Sequence, residues 1–220
     1  MDKPTGTTKE RILEAACELF AKQGFQDTTT QQICALAEAN IAAVHYHFRS
    51  KENLYREVWA CLSAETKALW EHRIDVSAPP EGLLRQFVRF RAEAILSEGR
   101  SGWYARLTHW EMSHPSCIHQ EIVDGYVRRK MHWFDEVVGE MLGDRADRHT
   151  VRLAAFCIHG PLVHLLEMRS TPRPPPPEAD REHPAHHRPG SDPEHLIETL
   201  TTFALGGLDR LAAQCRKEEG

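Results

Sequence analysis

Apolar positions recur at helical spacing along nearly the whole chain, and no run alternates with the period of a strand. Ile12, Ala15, Ala16, Leu19 and Phe20 form one stripe from about Thr8 to Gln23, with Gly24 behind it as a stop. Thr28 or Thr29, followed three residues later by Gln31 or Gln32, is a capping-box pattern. It predicts a short helix from about Thr30 with Ile33, Leu36 and Ala37 facing inward. Asn40, a preferred N-cap, opens the next helix, on which Val44 and Phe48 face inward. Ser50 caps a long helix that carries Leu54, Val58, Cys61, Leu62 and Leu69 to about Asp75, and Pro79-Pro80 ends it.

The rest of the chain repeats the pattern. A helix is predicted from about Glu81 to Ser97, and Gly99 and Gly102 bound a linker. A short helix then holds Trp103, Leu107, Trp110 and His114, and a long one runs from Ile118 to Gly143. Asp147 to Arg169 is helical around Gly160-Pro161, where the missing N–H predicts a kink and places His159 or His164 beside a freed carbonyl. Residues 171–193 hold most of the 13 prolines and almost nothing apolar, which reads as a solvated, polyproline-like loop. A last helix runs from about Asp192 to Arg216. The fold class is all-α.

The second short helix has an unusual outward face. Ile41, Ala42 and Ala43 are small or weakly apolar, and His45, Tyr46, His47, Arg49 and Lys51 ring them. Small side chains let a helix approach base edges, while the rim supplies phosphate donors. Helix, tight turn and helix with such a face is helix-turn-helix geometry, with Thr28, Thr29 and Asn40 at the helix starts as further DNA contacts. By periodicity alone the stretch also fits a surface helical hairpin.

Charge narrows the class. The net charge is −5 and the pI about 6.3. Over residues 1–51, Lys3, Lys9, Arg11, Lys22, Arg49 and Lys51 balance Asp2, Glu10, Glu14, Glu18, Asp27 and Glu38. That balance suits a local, specific duplex contact and disfavours a coating protein. An apolar content of 41% supports a core, a mean hydropathy of −0.50 predicts a soluble chain, and no segment reads as a membrane span or a signal peptide. The expected compartment is the cytoplasm. The cysteines Cys17, Cys34, Cys61, Cys117, Cys157 and Cys215 show no metal or redox spacing and read as small hydrophobes. His183, His186 and His187 have no fixed scaffold, so neither metal nor cofactor is expected.

The residues Ile33-Cys34-x-x-Ala37-x-Ala39-Asn40-x-x-Ala43-Val44-x-x-His47-Phe48-x-x-Lys51-Glu52-x-Leu54-Tyr55 resemble the signature of the TetR family of transcriptional regulators. The string Ala39 to Val44, with Tyr46-His47-Phe48 and Ser50 to Tyr55, is similar to the subgroup typified by the regulator CecR. The resemblance covers the N-terminal part closely and the remainder in layout. It implies a three-helix DNA-binding domain over 1–50 and a larger helical effector-binding and dimerisation domain over 51–220. The chain departs from the family in Glu38, where the turn usually has Gly, and in His45, where Tyr is common.

Aromatic and polar-edged residues in the larger part suggest a concave ligand site. The candidates are Trp59, Leu62, Trp103, Leu107, Trp110, Glu111 and Tyr126, with Phe87, Phe90, Arg91, Phe134 and Cys157. Proteins resembling the family keep an effector pocket in this region; here the aromatics favour something flat or apolar, and Arg91 allows an acid. For dimerisation the candidates are Phe156 and Leu165 on the kinked helix, with Leu196, Leu200, Phe203, Gly207 and Leu211 on the last one.

The expected function is therefore a ligand-responsive repressor that binds a palindromic duplex operator as a homodimer, released by a small-molecule effector. An all-helical enzyme or carrier, or a thiol or metal sensor on the same scaffold, are the alternatives. Against an enzyme, no catalytic triad order, phosphate loop or HExxH occurs, and His109 and Glu111 diverge on a helix.

Overall fold

The computed structural model describes residues 6–170 and 192–217, and the regular structure among them is helical. The Pro-rich stretch expected as a loop lies almost wholly outside the described residues. Two compact units emerge, one from Met1–Trp70 with Ser97–Arg128, the other from Glu71–Leu96 with Arg129–Gly220.

The first unit begins with α1 (Thr8–Asp27), started by a complete capping box between Thr7 and Glu10. Its regular path breaks at Gly24, whose φ of 76° lies in the left-handed region. A Cβ there would press on the Trp110 ring at 3.2 Å, so conformation and packing both call for glycine. Next come α2 (Thr30–Leu36), α3 (Ile41–Phe48) and α4 (Lys51–Arg73). After α5, which belongs to the other unit, the chain returns with α6 (Arg100–Ser113) and α7 (His119–Ile122). A π-helical turn, Val123–Val127, follows α7.

Ile12, Ala16 and Phe20 of α1 meet Ile33, Val44, Phe48, Leu54, Val58 and Leu107 in one core. Tyr55 joins edge-on to Phe20, with centroids 4.8 Å apart. The three-helix head thus leans on α4, as expected, and also along α6, which the linear pattern did not reveal. Two expectations are corrected. Leu36 is 47% exposed and Cys34 is buried instead, because the seven-residue α2 turns Ile33, Cys34 and Ala37 to the core. Gly102 lies inside α6 rather than in a linker, where a Cβ would collide with the Ser97 carbonyl.

The second unit contains α5 (Pro80–Leu96), most of α8 (Arg128–Leu142), α9 (Arg148–Ser170) and α10 (Pro193–Cys215). Asp192 caps α10 by accepting from the His195 N–H at 3.1 Å. α5 packs on α10 and α9. The core joins Leu84, Phe87 and Val88 to Phe134, Ile158, Leu162, Ala204 and Leu208. The long helix expected from Ile118 is split into α7, the π turn and α8.

α9 is apolar on two sides. Ala154, Ala155, Ile158, Leu162, Leu165 and Leu166 are buried, while Leu153, Phe156 and Val163 are exposed. That double face makes Arg148–Arg169 long and apolar enough to meet the length and composition of a membrane span, contrary to the expectation of no such segment. Leu165, expected at a dimer interface, is buried within its own unit. On α10 the buried line is Ile197, Thr201, Ala204, Leu208 and Ala212. Phe203 and Gly207 are left exposed, and Leu196, Leu200 and Leu211 half-buried.

Candidate nucleic-acid interface

The interface is built by caps at both starts and strain at both turns. Thr29 accepts from the Gln32 N–H at 3.2 Å, and its own N–H donates to Gln32 Oε1 at 2.7 Å. Asn40 Oδ1 accepts from the Ala43 N–H at 2.8 Å and starts α3. Between the helices Glu38 has φ 48°. Holding a Glu there instead of Gly costs roughly 1–2 kcal/mol. Arg11 offsets part of that cost from α1, donating to the carbonyls of Ala37 and Glu38 at 3.1 and 3.3 Å. Arg49, with φ 70°, is a second left-handed residue at the other end of α3. Its N–H donates to the His45 carbonyl at 3.1 Å. Two strained non-glycine residues bracketing one helix is a pattern associated with functional sites.

Val44 and Phe48 lock the back of α3 into the core. Ile41, Ala42, His45 and Tyr46 are left on its outer face, Tyr46 being 81% exposed. Asn40, Thr29 and Arg49 are also exposed, while His47 is half-buried with its ring 4.9 Å from Tyr46.

Three residues expected at this interface turn elsewhere. Thr28 is fully buried and donates to the Gly24 carbonyl at 2.6 Å, closing the α1 break. Ala43 is half-buried against the core. Lys51 donates from Nζ to the carbonyls of Phe25 and Thr28 at 2.9 and 3.0 Å, with its ammonium 4.1 Å from the Phe25 ring centroid. The break at Gly24 leaves carbonyls without helical partners, and a cation one strand of backbone away satisfies them.

The expected ligand residues divide between the units. In the first, Trp59, Leu62 and Leu107 are core, and Trp59 stacks on Tyr126 at 5.9 Å. Trp103 lies against the Arg100 guanidinium. Trp110 packs under Gly24 and donates to the Ala21 carbonyl at 3.1 Å, so its ring closes α1 rather than lining a pocket. Buried Glu111 accepts from Tyr55 Oη at 2.8 Å, Ser116 N–H at 2.9 Å and Ser116 Oγ at 3.1 Å, and meets His119 Nδ1 at 3.0 Å. Burial, with Glu111 beside it, holds the Tyr55 phenol above its ordinary range.

In the second unit Phe87 stacks on Phe134 with centroids 4.1 Å apart, and the His159 ring meets them at 5.2 and 4.7 Å. Arg91 lies one turn beyond Phe87, and Phe90 is buried beside it. Burial and the Arg91 charge push His159 down to about 4 and Lys130 down to about 8. Lys130 and Trp133 were not among the expected ligand residues. Their spacing from Phe134 on one helix was the available signal. Cys157 instead lies on an outer apolar groove with Pro161, Leu200, Phe203 and Leu211, because its position on α9 faces α10. Among the described residues no group of three His, Cys, Asp or Glu is placed to hold a metal.

Two family descriptions match this chain. The bacterial regulatory proteins of the tetR family match residues 12–58. The C-terminal domain of the HTH-type transcriptional dual regulator CecR matches residues 80–208, more than half of the chain. The chain belongs to the TetR family of transcriptional regulators. Among relatives of this TetR-family chain, the HTH-type transcriptional repressor NicS of Pseudomonas putida is 38% identical over 84 residues, 38% of this chain and 39% of NicS. The chain thus matches well under half the length of that relative. Among solved structures, a regulatory protein of the tetR family from Rhodococcus RHA1 has a TM-score of 0.65 at 23% identity, covering 94% of this chain and 98% of that one. The regulator FadR from Bacillus subtilis, solved in complex with stearoyl-CoA, has a TM-score of 0.64 at 15% identity, covering 90% and 98%. Those likenesses establish the TetR-type fold.

Proposed function

We propose that this chain is a homodimeric, ligand-responsive repressor that binds a palindromic operator and is released by a small-molecule effector in the cytoplasm, without catalysis. The single observation that carries the reading is α3: its back is locked into the core by Val44 and Phe48, and its small front is left bare. Ile41 and Ala42 take base edges. His45, Tyr46, His47 and Arg49, with Thr29 and Asn40 at the helix starts, take phosphates. Residues 1–50 serve as the reading head, and 51–220 as the effector-binding and dimerisation part.

Phe156, 72% exposed, and Phe203, 76% exposed, are the apolar anchors for a second copy of the chain. Gly207 permits close approach, and Leu196, Leu200 and Leu211 complete the face. A two-fold axis there presents two α3 helices to successive major grooves, about 34–36 Å apart. α4 runs on from the reading head into the effector-binding part, so a ligand that favours a different tilt of α4 weakens operator binding. It does so only by binding the DNA-incompetent state better. NicS is named a repressor, and FadR is described with an acyl-CoA, which supports repression and effector response here.

Selection of bound duplexes from a random pool tests the proposal. A two-fold symmetric consensus is the expected result. Enrichment of no sequence, or of an asymmetric one, overturns it.

A further inference from the structure

Within the second unit, three helices each bring a cationic or titratable nitrogen and an aromatic ring to one place. α5 brings Phe87 and, one turn later, Arg91. α8 brings Lys130 and, one turn later, Phe134, with Trp133 beside it. α9 brings His159. The rings define the spot: Phe87 and Phe134 stack at 4.1 Å, Trp133 is 6.2 Å from Phe87, and His159 stands edge-on to both Phe rings. Residues one helical turn apart share a face, so Arg91 and Lys130 overhang the same rings. Phe87 and Phe134 are buried and form a floor, whereas Arg91, Trp133 and His159 are half-buried and Lys130 is exposed. This grading from closed floor to open rim describes a recess.

His159 supplies the independent observation. Its Nε2 is buried and has no hydrogen-bond partner. A buried polar atom in that condition is uncommon, and it is explained when a bound group completes it. The neighbouring carboxylates of Glu93 and Glu194 are held by other cations, Arg73 and Arg89.

We propose that this recess takes a small aryl carboxylate, the carboxylate meeting Arg91, Lys130 and His159 and the flat ring lying over Phe87, Phe134 and Trp133. The assignment rests on the effector-responsive reading above and names the chemical class of that effector. Loss of hydration and mutual repulsion with Arg91 draw Lys130 down to about 8 and His159 down to about 4. A bound anion relieves both penalties at once, whereas a neutral ligand relieves neither. The neutral imidazole keeps one donor for a carboxylate oxygen. A flat ring is favoured over an alkyl tail because the available wall is aromatic and supports offset stacking.

Calorimetric titration of the full chain with benzoate, phenylacetate, 2-naphthoate and the neutral 2-naphthamide tests the assignment. The best carboxylate should bind saturably and about ten-fold or more tighter than the amide, as loss of one charge-assisted bond implies. Lys130→Gln alters an exposed side chain and should keep the fold. It should weaken carboxylate binding several-fold and leave amide binding unchanged. His159→Leu should weaken carboxylate binding further, with an unchanged circular dichroism spectrum. Saturable binding of none of the three acids, equal binding of 2-naphthoate and 2-naphthamide, or a Lys130→Gln protein with undiminished affinity overturns the assignment. Operator selection by the unliganded chain is run on the same preparation. Operator binding without carboxylate binding overturns this site and leaves the regulator reading standing. Carboxylate binding by a chain that selects no operator upholds the site and overturns that reading.

Discussion

Each unit of this protein buries a polar cluster among aromatic rings, and the two clusters are finished to different degrees. In the first, Glu111 is surrounded by Tyr55, both donors of Ser116 and the His119 ring, all within 3.1 Å. Its acceptor capacity is met, and α4, α6 and α7 are tied at one point. In the second, His159 sits against Phe87 and Phe134 with a buried ring nitrogen left without a hydrogen bond, and the charge acting on it is the like charge of Arg91. A closed network of donors and acceptors fixes geometry, whereas an unfinished one leaves binding capacity. Structure and responsiveness are therefore assigned to different parts of the chain.

The largest expected effect breaks the closed cluster. Glu111→Ala strands the Tyr55 hydroxyl and the Ser116 N–H in the interior, and should cost on the order of 3–5 kcal/mol in urea unfolding. A loss below about 1 kcal/mol, the usual size of a surface change, would show that Glu111 is not the anchor its contacts suggest.

A smaller effect reads the open cluster through pH. His159 has its native pKa drawn from the ordinary 6.5 to about 4. Between those values the unfolded chain takes up a proton that the folded chain refuses. Its contribution to stability is thus complete above 6.5, declines as pH falls towards 4, and is level below that. The loss should be on the order of 2 kcal/mol, and His159→Leu should flatten that part of the profile. Identical slopes for the two proteins would refute the desolvated imidazole.

The smallest effect separates the buried tie from its surface neighbour. Arg56 on α4 makes a bidentate pair with Glu121 on α7 at 2.9 Å, and both side chains are well exposed. Exposed pairs are screened and entropically costly, so Arg56→Ala should leave the unfolding midpoint almost in place. A shift rivalling that of Glu111→Ala would erase the distinction between a closed interior network and a surface pair.

Much of the reading head was legible beforehand. The caps Thr29, Asn40 and Ser50, the inward Val44 and Phe48, and the outward Ile41, Ala42 and His45 follow from local chemistry and a period of 3.6 residues. The departure at Glu38 also pointed to its positive φ. Arg49 gave no comparable sign, since its left-handed backbone comes from the abrupt passage between α3 and α4. Thr28 and Lys51 looked like interface residues because they are polar and near the motif. The break at Gly24 draws both inward, which no spacing rule contains. Likewise the choice between Cys157, facing the outer groove, and His159, facing the rings, depends on how α9 is rotated against α5 and α10.

By itself, the sequence determined the helical class, the helix starts and stops, the bare face of α3 and the family, because each depends on side chains within a turn or two of one another. Tertiary structure alone decided which buried polar groups are satisfied, that Trp110 and Lys51 close α1, and that Arg91, Lys130 and His159 converge. Those outcomes depend on distances between residues far apart in the chain, which exist only once the helices have packed.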